Sequence, residues 1–203
     1  FESSADQAAM KYMEASAVNP SGLESFLKKL EGEELRPTSQ QSEYVQTHPL
    51  KRTRIVSIKG RVQTSPYKTK PYPPEWIAQH KMMLAKLNGF ITPEQVAWTY
   101  DDRDHSREAM TARAIAAYRM NQIPTALKLA DQLVTLEPSN PYFYELKGQM
   151  LMDFGRVKES LSPYQKAISL KPDASLIRIS LAHAQIETAG QNATTLKTPL
   201  PNL

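Results

Sequence analysis

The segments Leu136-Glu137-Pro138-Ser139-Asn140 and Leu170-Lys171-Pro172-Asp173-Ala174 spell one turn twice in a chain of 203 residues. From Pro138 to Pro172 the period is about 34 residues, a length that marks repeats built from helix pairs. A fixed period of this length constrains the fold more than any other feature of the sequence. It holds two helices of three to four turns, and a single helix pair cannot bury its apolar face alone, so neighbouring pairs must stack. Proline closes the second helix of each pair because it has no N–H for the next backbone bond. The spacing predicts helices over residues 107–120 and 123–136, then 142–154 and 157–170.

The register fixes which residues pack. Tyr144, Gly148, Leu151, Tyr164 and Ala167 stand at packing positions of one unit, the same register gives Met110, Ala114, Ala117, Ala126 and Ala130 in the preceding unit, and Ser160 stands where an alanine is preferred. Gly148 and Ala114 let the two helices of a pair approach closely, since a larger side chain there would hold them apart. Period and residues together resemble the tetratricopeptide (TPR) repeat. That resemblance implies an α-solenoid whose concave face is built from the first helix of each pair, with Arg107, Tyr142, Glu145 and Arg178 available to a bound peptide or a neighbouring domain. A third unit starts at residues 174–188. Residues 192–203 are too polar and proline-bearing to be its full partner helix, so the array reads as cut short.

The first half is organised differently. Ala8, Ala9, Tyr12, Met13 and residues 15–17 are spaced as on a helix, which the Asn19-Pro20-Ser21-Gly22 cluster breaks. Leu23, Phe26, Leu27 and Leu30 mark a second helix, with Ser21 and Glu24 spaced as a capping box. Periodicity then lapses from Gly32 to Pro74. Pro37, Thr38, Ser39 and the glutamines predict a mobile, partly disordered loop, in which Ile55, Val56 and Ile58 would form a short strand or a docking segment. A helix resumes with Trp76, Ile77, His80, Met83, Leu84 and Leu87 facing inward, closed by Asn88-Gly89. Thr92-Pro93 then starts another with a capping threonine. The whole is all-α: a helical hairpin and irregular loop over residues 1–74, then a repeat domain over 75–203.

Composition removes several function classes. There is no cysteine, hence no disulfide, thiolate metal ligand or thiol nucleophile. No apolar run reaches the roughly 18 residues needed to cross a bilayer, and the first residues are not a signal peptide. A chain opening on Phe1 rather than methionine is expected to be a mature or excised piece. The net charge of +4 is modest, and the basic run Lys51, Arg52, Arg54, Lys59 and Arg61 reads as a solvated loop. Nucleic acid is therefore not an expected partner.

Glu2 and Asp6 lie four residues apart, so a helix places both carboxylates on one face, one turn apart. An exposed acidic pair on a first helical turn is common and favourable with the helix dipole. The order of the later segments gives the pair a second meaning: Glu2-Ser-Ser-Ala-Asp6, Asn19-Pro20, then Thr47-His48-Pro49-Leu50 and Arg54-Ile55, then the repeats. This order resembles the end of the catalytic domain in the HtpX-related gluzincins, and among them the BepA-like periplasmic branch, in which a zinc metalloprotease carries C-terminal TPRs. The family order is HExxH, a distant ExxxD helix, a His-Pro segment with a following arginine, and then the repeats. No HExxH occurs in these residues; His48, His80, His105 and His183 are isolated.

The resemblance implies that Glu2 is the third zinc ligand and Asp6 a supporting carboxylate that orients a ligand. His48 becomes a possible inhibitory ligand, its loop folding over the cleft to occupy zinc's open position, and Arg54 a possible substrate-binding residue. Zinc is expected in the intact protein, and none tightly bound to this fragment. The implied function is that of a C-terminal part of a zinc metalloendopeptidase of envelope protein quality control, inactive alone. Its repeats would bind substrate or partner proteins, an N-terminal protease domain would be its neighbour, and its location would be periplasmic. The alternative is a stand-alone TPR adaptor without catalysis.

Overall fold

In a computed structural model of the chain, residues 1–34, 37, 39 and 52–190 are described. Among them are ten α-helices and no strand. They divide into two compact units, Phe1–Ile77 and Ala78–Leu203.

The first unit opens on helices α1 (Glu2–Ala15) and α2 (Ser21–Glu34). The turn between them uses a left-handed residue, Ala17 at φ 53°, with the Val18 N–H donating to the Met13 carbonyl at 2.8 Å. This is the six-to-one bond that closes many helix C-termini. The expected Ser21–Glu24 capping box is replaced. Ser21 already lies in the helix and donates its N–H to Asn19 Oδ1 at 2.9 Å, while Glu24 pairs with Lys28 at 2.6 Å. Asn19 wins because its short side chain reaches the first free N–H two residues on.

The expected strand or docking segment at Ile55, Val56 and Ile58 is instead part of a helix, α3 (Arg52–Thr64). Ile55, Ile58 and Val62, spaced by three and four, are buried with Met10 and Leu27 in one apolar cluster. The helical face has only three apolar members, and Val56 points outward, so the local pattern resembled a β-run until its partners were present. The chain after α3 is also tied down. Tyr72 donates its hydroxyl to the Asn19 carbonyl at 2.9 Å and accepts from the Gly22 N–H, and Lys70 Nζ reaches the Ala17 carbonyl at 2.7 Å.

Helix α4 (Pro74–Ile91) overturns the expected inward face. Trp76, Ile77, His80, Met83, Leu84 and Leu87 are exposed. The buried residues are the small ones, Ala85 and Gly89. Gly89 does not close the helix; a Cβ there would lie 2.7 Å from Ile115 Cβ and 3.0 Å from the Ala112 carbonyl oxygen. Close approach of two helices selects the face with least volume, so the large apolar face is left outside. A 3₁₀ turn, Pro93–Gln95, leads into the short α5 (Val96–Thr99). Thr92 caps nothing; its hydroxyl instead donates to the Asn88 carbonyl.

The repeat comes next: α6 (Arg107–Arg119), α7 (Ile123–Leu136), α8 (Pro141–Asp153), α9 (Val157–Leu170) and α10 (Ser175–Gly190). Equivalent starts and stops recur one period apart, and so do the turns. Asn121 and Gly155 have φ of 56° and 75°, and Gln122 and Arg156 donate to carbonyls five residues back, each at 2.8 Å. Glu137 and Lys171, which precede the two prolines, share one backbone geometry, φ −131°, ψ 76° and φ −140°, ψ 80°. Ala114, Ala126, Ala130, Tyr164 and Ala167 are buried. A Cβ on Gly148 would stand 2.9 Å from the Tyr164 ring, so the missing side chain of α8 is what lets the tyrosine of α9 lie flat. Buried Ser160 satisfies its hydroxyl on the Val157 carbonyl at 2.7 Å. Helix pairs at this period are consistent with the TPR type.

Candidate functional site

Helix α1 places Glu2 and Asp6 on one face, as their spacing predicts. Helix α3 runs beside it and brings Arg54 to both. The guanidinium grips Asp6 through two bonds, Nε to Oδ2 at 2.8 Å and Nη2 to Oδ1 at 2.9 Å. Its remaining nitrogen, Nη1, stands 3.1 Å from Glu2 Oε2. Arg54 and Asp6 are nearly buried, with side-chain exposures of 12% and 13%, whereas Glu2 is 39% exposed. Two parallel charge-assisted bonds fix the orientation of both planes. Truncating Arg54 would leave the nearly buried Asp6 carboxylate without this partner, at a cost of several kcal/mol.

Further along the two helices, Arg61 approaches the Gln7 carbonyl at 3.5 Å and Glu14 at 4.0 Å. The basic run read as a solvated loop is therefore partly an ordered helical face set against acids of α1. A cleft of about 480 Å³ lies at this junction, lined by Phe1, Glu2, Ser3, Asp6, Thr53 and Arg54 among others. The guanidinium of Arg54, named from the sequence as a possible substrate-binding group, contacts Asp6 and Glu2. Sequence alone supplies the order ExxxD and then arginine. The pairing needs α3 to be helical.

Glu2 offers one half-exposed carboxylate, a hard oxygen donor of the kind zinc accepts from Asp or Glu. It fits as a single ligand. Among the described residues no group of three or more His, Cys, Asp or Glu could hold a metal ion, so further donors would have to come from other residues. His48 lies outside the described residues.

The second unit carries the other residues singled out for binding. Arg107 is engaged by Glu108 at 2.8 Å and Glu137 at 3.2 Å, across the pair of helices α6 and α7. Arg178 is exposed on α10. Tyr142 is exposed, with Lys86 Nζ of α4 5.7 Å from its ring centre, within cation–π range. Burial pushes the Glu145 carboxyl above the usual range, and Lys86 opposes the shift only in part. Tyr118 donates its hydroxyl to Asp153. Desolvation, and then that bond, push its phenol up to about 12. Nothing in the local sequence marks Lys86 or Phe90 as inner-face residues. Their contacts depend on where α4 lies.

Residues 1–62 match peptidase family M48. The stretch covers α1, the turn, α2 and α3 as far as Val62, and so ends just beyond Arg54. Along 92% of its length the chain is also 23% identical, over 190 residues, to the beta-barrel assembly-enhancing protease of Escherichia coli K12. Over 194 residues it is 22% identical to the protein of the same name from Yersinia pestis. It spans 39% of the length of each. The first 62 residues are thus similar to peptidase family M48, and most of the chain is similar to the beta-barrel assembly-enhancing proteases, in line with the resemblance that the ExxxD helix and following arginine carried. No helix among the described residues is long and apolar enough to cross a membrane.

Proposed function

We propose that this chain is the C-terminal part of a zinc metalloendopeptidase of the bacterial envelope, in which Glu2 contributes a zinc ligand and the helical repeats bind substrate or partner proteins. The single observation that carries the reading is Arg54 clamped between Asp6 and Glu2, within the stretch that matches M48. A ligand carboxylate on a first helical turn is free to rotate unless something holds it. Arg54, itself locked by two bonds to Asp6, supplies that hold and partly neutralises the pair. Supporting contacts of this kind fix ligand orientation, and their removal costs about 10–100-fold in metal affinity or activity. Zinc, when bound, would lower the pKa of a bound water and polarise a peptide carbonyl. The periplasmic location and the role in envelope protein quality control rest on the family resemblance.

His48, by the family order, would come from its loop to zinc's open position and hold the enzyme inactive. The measurement is zinc content and casein cleavage by the intact protein that includes HExxH. Glu2→Gln is expected to lose both zinc and cleavage, Asp6→Asn to weaken zinc about 10–100-fold, and His48→Ala to raise cleavage. Full zinc and full activity in Glu2→Gln would remove Glu2 from the site. The alternative reading is a stand-alone TPR-type adaptor without catalysis, which the recurrence of helix pairs at a fixed period favours.

A further inference from the structure

Within the second unit, α4 does not simply precede the repeats; it lies in their groove. Gly89 packs on Ala112 and Ile115 of α6, and Phe90 stacks edge-on against Tyr118, ring centres 6.4 Å apart. Lys86 of the same helix reaches Tyr142 on α8 and the field of Glu145. One helix thus touches the first helices of two successive repeats. The chain fills its own first groove with a helix laid on its small apolar side.

One period later α8 and α10 hold the places in the repeat that α6 and α8 hold before them, and the two are in contact. Tyr142, whose ring lies near Lys86, and Glu145 have Leu176 and Ile179 as counterparts one period on, and Tyr118 has Met152 and then Ile186. Leu176, Ile179 and Ile186 are 75%, 46% and 50% exposed. Their spacing of three and seven puts them on one stripe, distinct from Ile177, Leu181 and Ala184, which α10 buries against α9. Three large aliphatic side chains in water are unfavourable, at roughly 25 cal/mol per Å² left uncovered.

We propose that the groove between α8 and α10 receives an α-helix of a partner protein, apolar face down, as α4 occupies the groove between α6 and α8. This rests on the reading of the repeats as a protein-binding surface and adds the form and chemistry of the ligand. Contact residues on an amphipathic helix recur at three, four and seven, as the stripe on α10 does. A small residue where the helices cross would reproduce Gly89. An aliphatic residue, rather than lysine, belongs where Lys86 stands, because Ile179 replaces Glu145.

The probe is a fluorescein-labelled peptide of residues 78–91 carrying K86L, titrated by anisotropy into the 203-residue chain. Saturable binding is expected, and Leu176→Glu with Ile179→Glu should weaken it by about tenfold or more while leaving helicity and melting unchanged, since both sites are exposed. The same peptide with Ala85→Pro, which breaks the helix, should bind at least about tenfold more weakly. Equal binding of the broken peptide, or indifference to the α10 substitutions, overturns the helix groove. So does self-association of the chain through the stripe, or competition by a peptide of residues 191–203, either of which would name a different occupant. Reduced, alkylated casein separates the two levels. Casein binding insensitive to Leu176→Glu overturns only the helix groove, and failure of both probes to bind overturns the protein-binding reading as well.

Discussion

Gly89 and Gly60 both sit inside helices yet have opposite effects, and the difference is in what surrounds them. At Gly89 an added Cβ would press on Ile115 Cβ and a backbone oxygen, neither able to withdraw. At Gly60, mid-helix in α3, it would meet nothing within 4 Å. Glycine in a helix interior costs about 0.5–1 kcal/mol relative to alanine. Gly60→Ala should therefore stabilise by that amount, whereas Gly89→Ala should destabilise by about 1–3 kcal/mol as overpacking outweighs propensity. Urea melts of the two variants check this; a gain for Gly89→Ala would mean that α4 does not press on α6. Glu145 has its own test. Its carboxyl is raised in the fold by desolvation, so the folded chain binds a proton more readily than the unfolded one. That penalty is absent below the unfolded carboxylate pKa, grows as pH rises toward the raised value, and is complete above it. Glu145→Gln should therefore raise the melting temperature at pH 7 and lose that advantage at pH 4, as read from paired melts at the two pH values.

At the scale of the element, α3 is the piece that the sequence concealed. Its apolar face is narrow, Ile55, Ile58 and Val62, and most of its other residues are charged or small. Its burial decides both the core of the first unit and the position of Arg54. Ile58→Ala removes a side chain that is 1% exposed and should cost about 2–5 kcal/mol, seen as early loss of hydrogen-exchange protection across α1 and α3. Unchanged protection there would show that α3 contributes no core. The helices of the repeat needed no such help. Their starts, stops and turns recur at the proline period, and small residues sit where pairs cross.

For the chain as a whole, the repeat is held together neighbour to neighbour. Helix α10 covers Val157, Tyr164 and Ala167 on α9 with Ile177, Leu181 and Ala184. A chain ending at Leu170 should lose more helical signal than α10 alone accounts for, and should bind more of a hydrophobic dye than the intact chain does. Circular dichroism and dye fluorescence would show it, and a purely proportional loss of helix would argue against coupling between the pairs.

The period, the turn prolines and the small residues at 114, 126, 148 and 167 made the repeat legible in the sequence, because each repeat supplies its own local signals and contacts only adjacent ones. The order of ExxxD and a following arginine pointed to the M48 resemblance for a similar reason: a motif is local in sequence. Three things waited for the fold. Which face of α4 turns inward was settled by the room between helices, against the apparent apolar face. The helicity of α3 depended on Met10 and Leu27 arriving from elsewhere in the chain. That Arg54 closes on Asp6 and Glu2, both distant from it in sequence, came from two helices packing side by side. Long-range geometry leaves no periodic trace in a sequence, so only the packed chain could supply it.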